Sequence, residues 1–290
     1  MTEPRRLFCF GLGYTALALA EGFSAQGWRV AGTCRTGDKR AAFAARGIEV
    51  FVFDGGAKLS DPRAALAGAT HILSSVPPGV FDPVIAAHGA DLAAHRGVEW
   101  AGYLSTTGVY GDRAGGWVDE QSERLPTSAR GRQRVAAEDA WLKLWRDHAL
   151  PVHVFRLAGI YGPGRNAVDT VRAGQAKRID KPGQVFSHIH VDDIARVLAA
   201  SIIRPNPGAI YNLCDDDPAP PAVVIEEACR LLGVPPPPLV PFERAKVGMS
   251  EMARSFYADN KRVRNDRIKR ELGVTLRYPS YKDGLRALLA

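Results

Sequence analysis

The chain has 290 residues, 46% of them hydrophobic and 24% charged, which suits an ordinary soluble globular protein of one large domain or two closely joined ones. The net charge of +7 and pI near 9.4 come from scattered residues, mostly arginine, that are not interleaved with aromatics. That pattern reads as a solvated surface or as a basic pocket for a phosphorylated cofactor or acidic substrate, and nucleic acid is not expected as a partner. The opening MTEPRRLFCFGLG has too short an apolar run for a signal-peptide core or a membrane span, so the expected location is cytoplasmic with no membrane partner. Cys9, Cys34, Cys214 and Cys229 show neither metal-ligand spacing nor a disulfide framework and read as reduced packing residues.

In chain order, strands are expected at Leu7–Phe10, Arg29–Thr33, Glu49–Phe53, His71–Ser74, Glu99–Leu104 and Val152–Leu157. Helices are expected between them at Ala16–Gln26, Lys39–Arg46, Pro62–Leu66, Pro83–His95 and Gly131–Asp147. Strict alternation of this kind means parallel strands joined by helical crossovers, an α/β doubly wound sheet of Rossmann type. After Leu157 the rhythm changes. AGIYGPGRN reads as a glycine-rich loop, FSHIHVDDIA as a short strand and a helix, and AIYNLCDD as another strand; from Asp215 the chain reads as helical with proline interruptions. VPPPPLVP, Val234–Pro241, suits an extended polyproline connector. The expected organisation is a dinucleotide-binding domain over residues 1–158, to which 185–214 add a later strand and helix. A smaller, mostly helical substrate subdomain takes 159–184 and 215–290, packed over the strand ends, with the ligand cleft between the two parts.

FCFGLGYTALALA sets Gly11, Gly13 and Ala16 between the first strand and the mouth of a helix, a GxGxxA dinucleotide fingerprint. Gly11 allows the tight turn, Gly13 lets backbone approach a pyrophosphate and Ala16 permits close helix packing, while the helix N-terminus offers amides and positive dipole. Tyr14 and Thr15, at the same helix mouth, are further cofactor candidates. The second strand runs into Arg35, where an acidic residue would favour NAD. An arginine there pairs with a 2′-phosphate through its planar fork, or else is a solvated loop residue, so NADP is expected, with NAD as the alternative. Asp54, at the end of the third strand, is either an acceptor for the adenine amino group or a turn-forming aspartate. Ser75, following the fourth strand, completes the cofactor candidates.

With YLSTTGVYG, VFRLAGIYGPG, FSHIHVDDIA, IYNLCDD and LGVTLRYPSYKDGLRALL added to the glycine loop, the chain resembles the extended and atypical short-chain dehydrogenase/reductases, the superfamily of nucleotide-sugar epimerases and dehydratases. The resemblance implies that Thr106, flanked by Ser105 and Thr107, hydrogen-bonds the reacting oxygen; hydroxyls at a strand end also commonly satisfy turn backbone. It further implies a YxxxK tyrosine and lysine, and aligning the trailing glutamate with Glu138 places Arg130 and Arg134 at those positions. Arginine does not lose its proton in proteins, so Arg130 cannot act as a general acid or base but can stabilise an oxyanion. Arg134 can keep the positive charge and the ribose contacts.

Nucleotide-sugar enzymes of this resemblance use an asparagine and an arginine on the diphosphate where this chain has Gly159 and Phe186, which argues against an ordinary nucleotide-sugar substrate. His188 and His190 face one side of an extended segment, but IHVDD already assigns an aspartate as a helix cap and no metal is expected. Trp141 and Trp145, four apart, suit a helix face packed on the core. Two readings follow: an NADP-dependent oxidoreductase or epimerase-like enzyme acting on a small molecule, with Tyr161 or water supplying protons, or an NADP-binding sensor without turnover. A homodimer is the family's common assembly.

Overall fold

The computed structural model describes residues 5–289. Its centre is a seven-stranded parallel sheet. In chain order the elements are β1 (Arg6–Phe10), α1 (Tyr14–Ala25), β2 (Arg29–Cys34), α2 (Gly37–Ala44), β3 (Glu49–Val52), α3 (Pro62–Leu66), β4 (His71–Ser74), α4 (Pro83–Ala94), β5 (Trp100–Thr106), α5 (Ala129–His148), β6 (Val152–Leu157), α6 (Val191–Ile203) and β7 (Ile210–Leu213). The strand order is β7-β6-β5-β4-β1-β2-β3. The chain lays down β1, β2 and β3 in one direction, then returns to place β4 on the other side of β1. The strand order therefore reverses between β1 and β4, and this is where a doubly wound sheet offers a ligand crevice beyond its carboxyl ends.

Contacts divide the chain into two units. The first comprises the chain up to Ser105, Arg132–Arg156 and Ala195–Tyr211. Its core is the central strands and the faces of α4 and α5, with Phe8, Phe10, Ile72, Tyr103 and Trp141 fully buried and Trp145 packed against them. Strands β1 and β4 are buried along their whole length, as parallel strands covered on both faces must be. Helices α3 and α4 begin at Asp61 and Asp82, whose carboxylates accept from Ala64 N and Ile85 N, with proline in the first turn of each.

The second unit comprises Thr106–Gly131, Leu157–Ile194 and Asn212 onward. It is built of short helices and three two-stranded parallel pairings: Gly159–Tyr161 with His188–His190, Arg178–Asp180 with Leu239–Pro241, and Trp117–Val118 with Arg262–Val263. Its core gathers Tyr161, Val168, Ala219, Ala228, Tyr281 and Leu285. Two sequence expectations are corrected here. The segment read as a glycine-rich loop begins as the strand Gly159–Tyr161, and the region after Asp215 contains strands at Leu239–Pro241 and Arg262–Val263. Each spans two or three residues and pairs with a distant segment, so no local periodicity announces it. The proline run carries no helix or strand before its paired end at Leu239–Pro241, where prolines at a sheet edge are allowed.

All four cysteines are free and buried. Among the described residues no helix is long and apolar enough to cross a membrane.

One buried ion pair anchors α5 to the sheet. The Glu138 carboxylate accepts from Arg156 Nε at 3.0 Å and Nη2 at 2.7 Å, and from Ser105 Oγ at 2.6 Å. Glu138 and Arg156 are essentially fully buried, so removing one partner strands the other charge away from water. Glu138→Ala should destabilise the protein by about 3–5 kcal/mol in urea-unfolding measurements, with a smaller loss for Glu138→Gln, which keeps hydrogen-bonding capacity.

Candidate functional site

The cofactor candidates lie in the first unit and begin where β1 ends. Gly11 has φ +82°, and a Cβ there would sit 3.0 Å from Val76 Cγ2 and 3.1 Å from Ser75 Oγ. Glycine is required at this turn both by conformation and by space. The loop is pinned on two sides: Gly11 N donates to Thr33 Oγ1 and Leu12 N to Thr33 O, both at 2.8 Å, while Ser75 Oγ donates to Gly11 O at 2.5 Å. Gly13 is the N-cap of α1, with no side-chain cap and no acidic residue in the first turn. A Cβ built on Gly13 meets nothing within 4 Å. The space before this helix N-terminus is therefore open, and the approach is suited to a pyrophosphate. Thr15 and Ala16 are buried on the inner side of α1, and Tyr14 is half-buried at its mouth.

Gly32, inside β2, is a constraint that the fingerprint does not include. A Cβ there would lie 2.5 Å from Cys9 O and 2.8 Å from Leu12 Cγ. A glycine interrupting a strand is the available sequence signal for such close approach. Arg35 follows β2 directly and is exposed. Asp54 Oδ1 accepts from Gly56 N at 2.8 Å, forming an Asx turn with one carboxylate oxygen.

At the end of β5, neighbouring hydroxyls diverge. Ser105, in the first unit, is buried and donates to Glu138. Thr106, in the second, is half-buried; its Oγ1 accepts from Gly108 N at 3.1 Å and caps the 3-10 turn Thr107–Tyr110. Acceptance leaves the Thr106 hydroxyl proton available to a further partner. Arg134 Nη1 donates to Leu104 O and lies 3.4 Å from Tyr103 Oη, with the guanidinium 5.9 Å from that ring's centroid. It is thereby held at the carboxyl end of β5. Arg130, one turn earlier on α5, is exposed. Beside it, a Cβ on Gly131 would lie 2.8 Å from Pro126 Cβ and 3.0 Å from Gly108 O, so the start of α5 rests directly on the turn that Thr106 caps.

Three tyrosines of the sequence motifs are candidates for proton transfer in place of a YxxxK tyrosine. Tyr103, Tyr110 and Tyr161 are all buried. Tyr110 Oη donates to Asn212 Oδ1 at 2.7 Å and Tyr161 Oη to Ser280 O at 3.5 Å. Burial raises the Tyr103 and Tyr161 phenols above their ordinary range; Arg134 opposes the shift at Tyr103, whereas Asp215 and Asp193 add to it at Tyr161. These phenols keep their protons through neutral pH.

Gly159 and Phe186, the two positions read from sequence as arguing against a nucleotide-sugar substrate, have close neighbours within the second unit. A Cβ on Gly159 would press on Ser187 O at 3.2 Å. Phe186 meets Tyr257 edge-on at 5.4 Å, and Tyr257 stacks on Phe242 at 5.0 Å. His190 lies against Tyr161 and Tyr278, and the buried Asp193 carboxylate accepts from Arg277 N at 2.7 Å and Tyr278 N at 2.9 Å. Among the described residues no group of three or more His, Cys, Asp or Glu is arranged to hold a metal ion.

The sequence reading passed over Asp259–Lys261. This segment forms neither helix nor strand, yet it is hydrogen-bonded to two loops of the second unit and to Thr127 at the approach to α5. An acid and a base flanking Asn260, directly after an amphipathic helix, are the available signal.

Residues 85–214 match the family model described as the NAD dependent epimerase/dehydratase family. The chain is 33% identical over 248 residues to Protein YeeZ of Escherichia coli, covering 80% of this chain and 86% of that protein. It is also 30% identical over 138 residues to the 3-diazoavenalumate denitrifying reductase of a Streptomyces species, covering 46% of this chain and 45% of that one. A conserved protein of unknown function from Silicibacter pomeroyi has a similar solved structure, at TM-score 0.90 and 53% identity with 98% of each chain covered. Together with the seven-stranded sheet and its glycine loop, these likenesses establish that the chain belongs to the NAD-dependent epimerase/dehydratase family.

Proposed function

We propose that this protein is an NADP(H)-dependent oxidoreductase acting on a small carbonyl or hydroxyl substrate other than an ordinary nucleotide sugar. The observation that carries the reading is the uncapped N-terminus of α1 with open space in front of Gly13, where free backbone amides and the helix dipole favour an approaching pyrophosphate. Arg35, exposed at the end of β2, supports the phosphorylated cofactor because its fork of donors matches a 2′-phosphate. A reductase among the relatives supports the redox chemistry, and Gly159 with Phe186 supports a substrate without a nucleotide diphosphate.

The bound nicotinamide would supply or accept hydride. Thr106 Oγ would hydrogen-bond the substrate oxygen through the proton its capping role leaves available. Arg130 would stabilise negative charge on that oxygen without exchanging a proton. Arg134, held by Leu104 O, would keep a positive charge by the nicotinamide ribose. A second reading, an NADP(H) sensor without turnover, is favoured by one observation: Tyr103, Tyr110 and Tyr161 are buried, and the hydroxyls of Tyr110 and Tyr161 donate to Asn212 and Ser280. NADPH oxidation in the presence of a panel of small aldehydes and quinones separates the two readings; cofactor binding without oxidation would select the sensor.

Two variants test the cofactor assignment. In calorimetric titrations the unmodified protein should prefer NADPH over NADH by about 10- to 100-fold, the range expected of charge-assisted hydrogen bonds. Arg35→Asp should erase or reverse that preference, and equal affinities in the unmodified protein would rule out the role of Arg35. Gly13→Val should fold normally, since its side chain enters open space, yet lose the rise in melting temperature that NADPH confers. A retained ligand-induced shift would reduce the glycine loop to a turn.

A further inference from the structure

At the carboxyl end of β5 the first unit sets one cation among buried polar and aromatic groups, all of them its own. Arg134 Nη1 donates to Leu104 O and to Tyr103 Oη, the latter at 3.4 Å, and the guanidinium carbon lies 5.9 Å from the Tyr103 ring centroid. Tyr103 is fully buried, and its ring stacks on Trp141 at 5.7 Å and 18°. Trp141 Nε1 donates in turn to Asp82 Oδ2 at 3.2 Å, while Asp82 Oδ1 accepts from Ile85 N at 2.9 Å as the cap of α4. Burial raises the Asp82 carboxyl above its ordinary range; the bonds from Ile85 and Trp141 oppose that shift, and so does the Arg134 charge.

Both bonds of Arg134 use Nη1, so among the described residues Nε and Nη2 meet no protein acceptor. A guanidinium is planar with its donors in a fixed fork, so the way Nη1 is held sets the direction of the Nε–Nη2 edge. Leu104 O alone would let the plane turn about a single bond. Tyr103 supplies the second point, through its oxygen and through its ring against the cation. The stack on Trp141, itself pinned by Asp82, keeps the Tyr103 ring from turning.

Strand order says which part of a cofactor lies near that edge. β5 neighbours β4, and β4 neighbours β1, so the end of β5 stands about 10 Å across the sheet from the glycine loop, at about 4.8 Å per strand. β2 and Arg35 lie on the other side of β1. A dinucleotide with its pyrophosphate at the glycine loop and its adenosine half toward Arg35 extends its nicotinamide half toward β5.

We propose that Tyr103 is a positioning residue for cofactor binding: it holds Arg134 so that the Nε–Nη2 edge is free to donate to the vicinal hydroxyls of the nicotinamide ribose. The inference rests on the cofactor reading above. Two parallel N–H groups match two adjacent oxygens only when the plane is correctly set, whereas a lysine at this place would carry three rotatable donors and need no second anchor. Tyr103 keeps its own proton throughout, since burial raises its phenol and Arg134 opposes that shift only in part.

Two ligands and a double-mutant cycle test the assignment. 2′,5′-ADP carries the adenosine half of NADPH and lacks the nicotinamide ribose. In calorimetric titrations Tyr103→Phe, which keeps the ring and its stack on Trp141, should weaken NADPH about 3- to 10-fold and leave 2′,5′-ADP unchanged. Arg134→Ala should weaken NADPH by about 10- to 100-fold, again with 2′,5′-ADP unchanged. Adding Tyr103→Phe to Arg134→Ala should cost no further affinity, because the phenol acts only through the arginine. A packing defect would weaken both ligands or persist in the double variant, so it is told apart even where the melting temperature falls. Nitrogen-15 arginine labelling reads the unmodified protein directly: the Arg134 Nε–H resonance, assigned by its absence in Arg134→Lys, should move with NADPH and stay in place with 2′,5′-ADP. Unchanged NADPH affinity in either single variant, equal weakening of both ligands, additive losses in the double variant, or an Arg134 resonance that ignores NADPH overturns the proposal. An unmodified protein that binds neither NADPH nor 2′,5′-ADP would instead overturn the cofactor reading, and the role of Tyr103 with it.

Discussion

The carboxylate of Glu138, sealed from solvent and shared between Arg156 and Ser105, sets the register of the long helix α5 on the sheet. A buried ion pair of this kind contributes little net stability over a well-packed apolar substitute, but it tolerates no displacement, since slipping the helix by one residue would strand two charges. With Glu138 fixed, Arg134 falls one turn earlier, within reach of Leu104 O at the carboxyl end of β5. Arg130 falls one turn before that, where Gly131 lets the helix start meet Gly108. The same pair also sorts the hydroxyls of β5. Ser105 is drawn inward to the carboxylate, so Thr106, alternating to the other side of the strand, is the one left with a proton to offer.

The glycines of the first unit illustrate three distinct settings. Gly11 is needed for a left-handed turn and for closeness to Ser75 and Gly32 for the close approach of the β1 carbonyl and Leu12, whereas a side chain at Gly13 would meet nothing within the protein. Of these, Gly13 alone meets no neighbour that a side chain would displace, and the cofactor proposal above builds on that opening. The loop is rigid through Thr33 and Ser75, so the approach to the helix N-terminus is set before any ligand arrives.

In the second unit, long-range polar contacts accompany the buried apolar residues. Short strands of two or three residues cannot hold together by pairing alone. Asp193, Asn260 and Asp259 each bind backbone or side chains far away in sequence. Phe186, Tyr257 and Phe242 form an aromatic group in this unit, Phe186 edge-on to Tyr257 and Tyr257 stacked on Phe242.

Much of the architecture was legible in the residues themselves. Alternating apolar runs and amphipathic stretches identified the six strands through Val152–Leu157 and the helices between them to within two residues, because periodicity and burial coincide in a parallel sheet. The glycine fingerprint, the buried cysteines and the Trp141–Trp145 face were likewise local properties. Tertiary structure alone decided the rest. Nothing in STTG distinguishes Ser105 from Thr106 until Glu138 arrives from 33 positions away. The spare tyrosines look equivalent to any other until burial commits their hydroxyls. The segment Asp259–Lys261 carries no periodicity of its own, and it is fixed only because Asp112, Thr127 and Gln184, all remote in sequence, hydrogen-bond to Asp259 and Asn260. Local sequence determines what conformation a segment prefers, whereas the protonation and availability of a side chain depend on desolvation by neighbours that only folding brings near.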